Sequence, residues 1–125
     1  MELLCAAYLE YCLFGKTTYS SDILDIIICL SEKHAVKLSC MDLYDFNLDS
    51  VSYFKIVERL FSDKITWGRI IVLFCWTGAL AKYAFVTLNK NIVSQLAKWQ
   101  NEFMTDALLS WIIVNGGLLQ LKTFC

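Results

Sequence analysis

Three consecutive residues, Trp67-Gly68-Arg69, offer the most specific chemistry in this sequence. Arginine carries a planar guanidinium whose five fixed donors match a carboxylate. A glycine beside it lets a second backbone come close. Immediately afterwards the chain runs from Ile70 to Ala81 without a charged side chain, and Lys82 and Tyr83 close the run. A glycine and a charge at the mouth of the most apolar segment fit a membrane span, a core helix or the edge of a binding site. On the triplet alone, a chain turn at Gly68 and an ordinary surface ion pair at Arg69 is the favoured account. The alternative is a socket in which Gly68 admits the backbone of a helix and Arg69 grips its acid.

Other chemistry is sparse. The one histidine, His34, has Glu32 and Lys33 beside it on a helical pattern, as a surface or partly buried residue would. Asp42, Asp45 and Asp49 lie close together, but they lack the glycine and terminal glutamate of an EF-hand loop and read as a solvated acidic stretch. The six cysteines, Cys5, Cys12, Cys29, Cys40, Cys75 and Cys125, form no CxxC pair and no metal-ligand spacing, so they read as small buried hydrophobes of a reducing compartment. Phosphate-loop, dinucleotide and nucleophile-elbow patterns are missing. The expectation is a non-enzymatic chain with no metal and no cofactor.

Composition bounds the rest. The 125 residues suit one domain, taken as 1–125, with a single core. The hydrophobic share of 58% exceeds the roughly 45–50% of ordinary soluble domains, so an apolar core or an exposed apolar patch must absorb the surplus. A net charge of -1 gives no field for nucleic acid or anionic lipid. The start, MELLCAAYLEYCLFGK, carries Glu2 and Glu10 where a secretory signal needs a basic start and an unbroken apolar centre. No dedicated transmembrane anchor is expected.

The elements that must position the triplet are helices, since proline is absent and glycine scarce. Leu4, Ala7, Tyr8 and Tyr11 predict an amphipathic helix over 2–14, stopped at Gly15. TTYSSD supplies caps for a helix over 22–37 with Ile23, Ile27 and Leu30 as its buried stripe. Residues 39–50 read as loop, with Asp49 or Ser50 capping a half-buried helix over 51–62 on which Tyr53, Phe54, Val57, Leu60 and Phe61 share a face. A break at 63–66 precedes the run that opens with the triplet. A helix from about 67 to 86 that is apolar on every face belongs inside a bundle or a bilayer, and a charge-free run well short of about 20 residues favours the bundle. Ile92, Leu96, Trp99 and Phe103 predict an amphipathic helix over 90–103. Residues 106–114 are apolar and helical, NGG at 115–117 breaks them, and a short turn follows. The expected fold is all-α, six to eight helices around a buried central hydrophobic helix.

On these residues a resemblance becomes specific. ERLFSDKITWGRIIVLFCWTGALA (58–81) closely resembles the first homology region of the Bcl-2 family of apoptosis regulators, which typically reads E-L-F-x-D-x-x-N-W-G-R-I-V before a helix ending G-G-A-L. SWIIVNGGLLQL (110–121) resembles the second region, T-W-I-x-x-N-G-G-W, in the right order and spacing. With the helix between them the resemblance spans 54–121. It implies the family's helical bundle around a buried central hairpin, the helices near 67–86 and 90–103. It also implies a surface groove, lined by the helices near 22–37, 51–62 and 67–80, that accepts the amphipathic BH3 helix of pro-apoptotic partners (Bim-like, or Bak and Bax). By position, Arg69 would pair with the BH3 aspartate and Gly68 would admit its backbone, flanked by Thr66 and Trp67. Val57, Leu60, Phe61, Ile65, Val72 and Leu73 would line the pockets. Trp111, Asn115, Gly116 and Gly117 would form the second motif, the last three shaping a turn at the groove's far end.

The departures from the pattern are informative. The asparagine before Trp67 is replaced by Thr66, which still caps a helix but loses an amide contact to a ligand acid. Val72 stands where a small residue is usual and would narrow a pocket. Thr77-Gly78 replaces a glycine pair, and Leu118 a tryptophan. Compactness resembles a virus-encoded anti-apoptotic member, a cytoplasmic decoy that sequesters BH3 helices in an infected host cell and meets mitochondria through its partners. The alternatives are a pro-apoptotic member, a fold relative that binds innate-signalling adaptors, and a homodimer that buries the apolar surplus.

Overall fold

The computed structural model describes residues 2–17, 21–38, 49–87 and 91–124. The expectations for Asp42, Asp45, Cys40, Cys125 and the loop before 49 lie outside these residues, as does that for the His34 side chain. Six α-helices follow in order: α1 (Glu2–Phe14), α2 (Asp22–Leu38), α3 (Ser50–Leu60), α4 (Trp67–Thr87), α5 (Asn91–Phe103) and α6 (Leu109–Val114). A wide π-helical turn, Met104–Leu108, joins α5 to α6, and a 3-10 segment, Leu118–Phe124, ends the described chain. Among the described residues there is no strand.

Local sequence chemistry sets the helix starts. Ser21 Oγ accepts from Leu24 N–H at 3.1 Å and opens α2. Asp49 Oδ1 accepts from Ser52 N–H at 2.8 Å, so Asp49 rather than Ser50 caps α3. At the head of α4, Thr66 Oγ1 accepts from Arg69 N–H at 3.1 Å. These caps satisfy backbone donors that have no partner within the helix.

The helix α4 is the axis, and α1, α2 and α5 pack on it. Ile70, Leu73, Phe74, Leu80 and Ala81 are fully enclosed, and Ile71, Cys75 and Trp76 nearly so. Each enclosed Ile, Leu or Phe contributes roughly 1.5–3 kcal/mol relative to exposure, which makes α4 the largest apolar contributor to the core. Twenty residues, Trp67–Val86, are long and apolar enough to cross a membrane by length and composition. Length alone therefore does not decide against a span. Enclosure by neighbouring helices is what accounts for this composition.

Several stripes sit slightly rotated from expectation. On α2 the deepest residues are Leu24, Ile27 and Leu30, with Ile23 half-buried. On α5 the buried set is Leu96, Ala97, Gln100 and Phe103, while Trp99 and Ile92 lie at its flank. The second arm of the central hairpin is thus amphipathic, not buried all round, because only its inner face meets α1 and α4.

Gly78 marks a close crossing of α1 and α4. A Cβ there would stand 2.8 Å from Cys12 Sγ and 3.1 Å from Tyr8 Cε1, so α1 sits too tightly on α4 for a side chain. Thr77, next to it, is fully buried, and its Oγ1 lies 2.9 Å from the hydroxyl of buried Tyr53 on α3. The Tyr53 ring stacks on Trp76 at 5.3 Å and leans on Trp99 at 5.6 Å, which ties α3 to both α4 and α5.

Candidate functional site

The triplet sits where the chain enters α4. Trp67 is the first residue of the helix, and the cap from Thr66 holds its first turn. Among the described residues, nothing requires glycine at 68. The residue is exposed, its φ is not positive, and an added Cβ would meet nothing nearer than Thr66 Oγ1 at 4.0 Å. An exposed first-turn glycine without an internal reason leaves the backbone of α4 open to an outside surface.

Arg69 lies half-buried beside this opening. Its Nη1 donates to the Lys64 carbonyl at 2.9 Å, which aims the guanidinium along the 61–66 connection. Its Nη2 stands 3.9 Å from Oδ2 of Asp63, whose side chain is 87% exposed. That is a loose, solvent-bathed pair of the kind that contributes little. The guanidinium therefore keeps donors for a stronger carboxylate, and Asp63 is the internal acid such a carboxylate would displace.

The expected pocket residues divide into two tiers. Leu60, Phe61, Ile65 and Val72 are half-buried and offer surface to a ligand. Val57 and Leu73 are fully enclosed, so they present no surface to a ligand in this structure. Phe61 stacks on Phe103 at 5.6 Å, which anchors the end of α3 to α5. The helices expected to border the groove, α2 and α3, both pack on α4; α2 also leans on the 3-10 segment, and α3 on α5.

The second motif joins the first directly. Trp111 meets Trp67 edge-on, with ring centroids 4.8 Å apart. The turn expected at the groove's far end thus starts one helical turn beyond Trp111, which touches the residue that opens the triplet. Asn115 Nδ2 donates to the Trp111 carbonyl at 2.8 Å. Gly116 and Gly117 have φ of 99° and 84°, where side chains are strongly disfavoured, and the Gly117 N–H donates to the Ile112 carbonyl at 2.8 Å. These three residues end α6 and swing the chain into the 3-10 segment, whose Leu121 is fully buried.

Sequence reasoning missed three contacts: Asp63 with Arg69, Trp67 with Trp111, and Tyr53 with Thr77. Asp63 lies within the same quoted motif, so its nearness to Arg69 was available. The other two are pairings across the fold without a local signal.

The family profile described as apoptosis regulator proteins, Bcl-2 family, matches residues 26–117. Bcl-2-like protein 1 of Homo sapiens is 36% identical over 66 residues, which is 53% of this chain and 28% of that protein. Apoptosis regulator Bcl-2 of Gallus gallus is 34% identical over 62 residues, 50% of this chain and 27% of that protein. The aligned stretch thus spans less than a third of the length of these relatives. A helical bundle around α4, two motifs in contact through Trp67 and Trp111, and a profile match that reaches from α2 to Gly117 agree, and the chain belongs to the Bcl-2 family of apoptosis regulators.

Proposed function

We propose that this chain restrains apoptosis by sequestering the amphipathic BH3 helix of pro-apoptotic family members against the Gly68–Arg69 lip. One observation carries the reading: among the described residues, an exposed glycine with no internal role adjoins a half-buried arginine whose one acid is the loosely held Asp63. A helix laid across the first turn of α4 can bring its backbone to Gly68 and its aspartate to Arg69. Its apolar anchors then meet Leu60, Phe61, Ile65 and Val72. Relatives named as apoptosis regulators support the same assignment. The proposed site of action is the cytoplasm of a host cell, where a captured BH3 helix no longer reaches its target.

The test is calorimetric titration of synthetic BH3 peptides into the full chain. A charge-assisted bond contributes roughly 1.5–3 kcal/mol, so Arg69→Ala weakens binding about ten- to a hundredfold. Arg69→Lys keeps the charge and loses the fork, and it falls between the two. Absence of binding to every peptide sinks the reading. Tight binding indifferent to Arg69→Ala removes the role of the arginine.

A second reading, self-association, is favoured by the exposed side chains of Ile113 and Val114 at the end of α6 and of Leu119 and Phe124 on the 3-10 segment. Sedimentation across a concentration series tests it; a monomer at every concentration excludes it.

A further inference from the structure

The turn Met104–Leu108 resets the helix that carries Trp111. The buried stripe of α5 is Leu96, Ala97, Gln100 and Phe103, and Met104, the first residue of the wide turn, continues it. At about 100° per residue, a plain α-helix continues that stripe through Ala107, Trp111 and Val114. The structure buries Leu108 and Ile112 instead, leaves Ala107 exposed and Trp111 half-buried, and exposes Val114 by 83%. The burial pattern has advanced by one residue. A π turn takes up one extra residue, which produces that advance. The wide turn closes at Leu108, with φ -111° and ψ -24°, and Leu109 is already regular at φ -59° and ψ -43°. At its start, the buried Gln100 Nε2 reaches Met104 Sδ at 3.8 Å.

Trp111 is the residue whose fate this decides. In the plain register it would point to the centre of the stripe and be swallowed by the core. In the observed register it stands at the stripe's flank, where its ring meets Trp67 at 4.8 Å. We infer that the π turn Met104–Leu108 is a positioning device for the partner site: it sets the phase of α6 so that Trp111 braces Trp67, the residue before Gly68 and Arg69. The inference rests on the binding function proposed above.

Two variants test it. Exchanging Ala107→Leu with Leu108→Ala keeps the composition but moves the apolar anchor to the plain register. Deleting the exposed Asp106 removes the extra residue, so a regular helix then delivers Leu108, Trp111 and Ile112 in their present phase. The readout is the exciton couplet of the Trp67–Trp111 pair in circular dichroism, identified by its loss in Trp67→Phe, together with affinity for a synthetic BH3 peptide. The exchange is expected to abolish the couplet and weaken peptide binding at least tenfold while helicity stays. The deletion is expected to keep the couplet and to bind within threefold of the parent. An exchange variant that retains the couplet, or a deletion variant that loses it, overturns the inference; if the exchange variant does not fold, the deletion decides alone. The couplet is read without a partner, so a parent chain that binds no BH3 peptide defeats the proposed function and leaves this phase test intact.

Discussion

Replacing Gly68 by alanine should pull stability and binding in opposite directions. Alanine is favoured over glycine by about 0.8–1 kcal/mol in a helix interior and by less in the first turn, so a gain of about 0.5 kcal/mol is expected. Among the described residues there is no offsetting clash, since the new Cβ meets nothing nearer than Thr66 Oγ1 at 4.0 Å. For a chain of 125 residues this raises the thermal midpoint by about 2 °C. In the complex the same methyl occupies the space into which the partner backbone must come. Overfilling a packed contact costs about 1–3 kcal/mol, a five- to more than hundredfold loss of affinity. Thermal unfolding by circular dichroism and titration of a BH3 peptide, on one preparation, measure both. A higher midpoint with unchanged affinity refutes the idea that Gly68 admits a backbone. A lower midpoint shows that Gly68 serves the fold, and the external reading of the lip collapses with it.

Four further outcomes are expected. Thr77→Val strands the buried Tyr53 hydroxyl and lowers stability by about 1–3 kcal/mol, while adding Tyr53→Phe recovers much of that loss in a denaturation cycle. Gln100→Met removes a fully buried amide whose Oε1 has no partner among the described residues, so it raises the midpoint, by several degrees if the relief reaches about 1 kcal/mol. Asp63→Asn frees Arg69 from its exposed acid; BH3 affinity rises, about twofold, and the midpoint scarcely moves. Burial pushes the Cys5 thiol from 9.0 up to about 12 and the Cys75 thiol up to about 11. The unfolded chain therefore loses these protons first. Stability is full below about pH 9 and falls as pH rises towards 11–12, by about 1 kcal/mol per pH unit for each thiol in its window. Denaturant titrations from pH 8 to 11 measure the slope, and Cys5→Ala reduces it.

Helix positions were legible because apolar spacing and caps are local. The stripe of Leu4, Ala7 and Tyr8, the cap at Asp49 and the break before Trp67 all appear where the residue pattern puts them. Depth was less legible. Val57 and Leu73 read as pocket lining but are enclosed, because a periodic pattern marks a face and not how far a neighbouring helix covers it. The phase of α6 could not be read at all. Ala107, Trp111 and Val114 form as apolar a stripe as Leu108 and Ile112, so only tertiary packing selects between the registers. At the candidate site, the residue types at 66 to 69 were readable, and the Thr66 cap was read correctly. The brace from Trp111 and the tie from Tyr53 to Thr77 depend on long-range packing, which spacing does not encode.

The tight seat of α1 on α4 limits how this chain can be shortened. With Cys12 and Tyr8 pressed against Gly78, α1 is a lid fitted over a helix long and apolar enough to cross a bilayer. Trimming the first fourteen residues to obtain a smaller binding fragment would strip that lid, and the exposed flank of α4 would seek detergent, lipid or another copy. A minimal fragment must therefore keep α1, even though α1 contributes none of the residues assigned to the partner site.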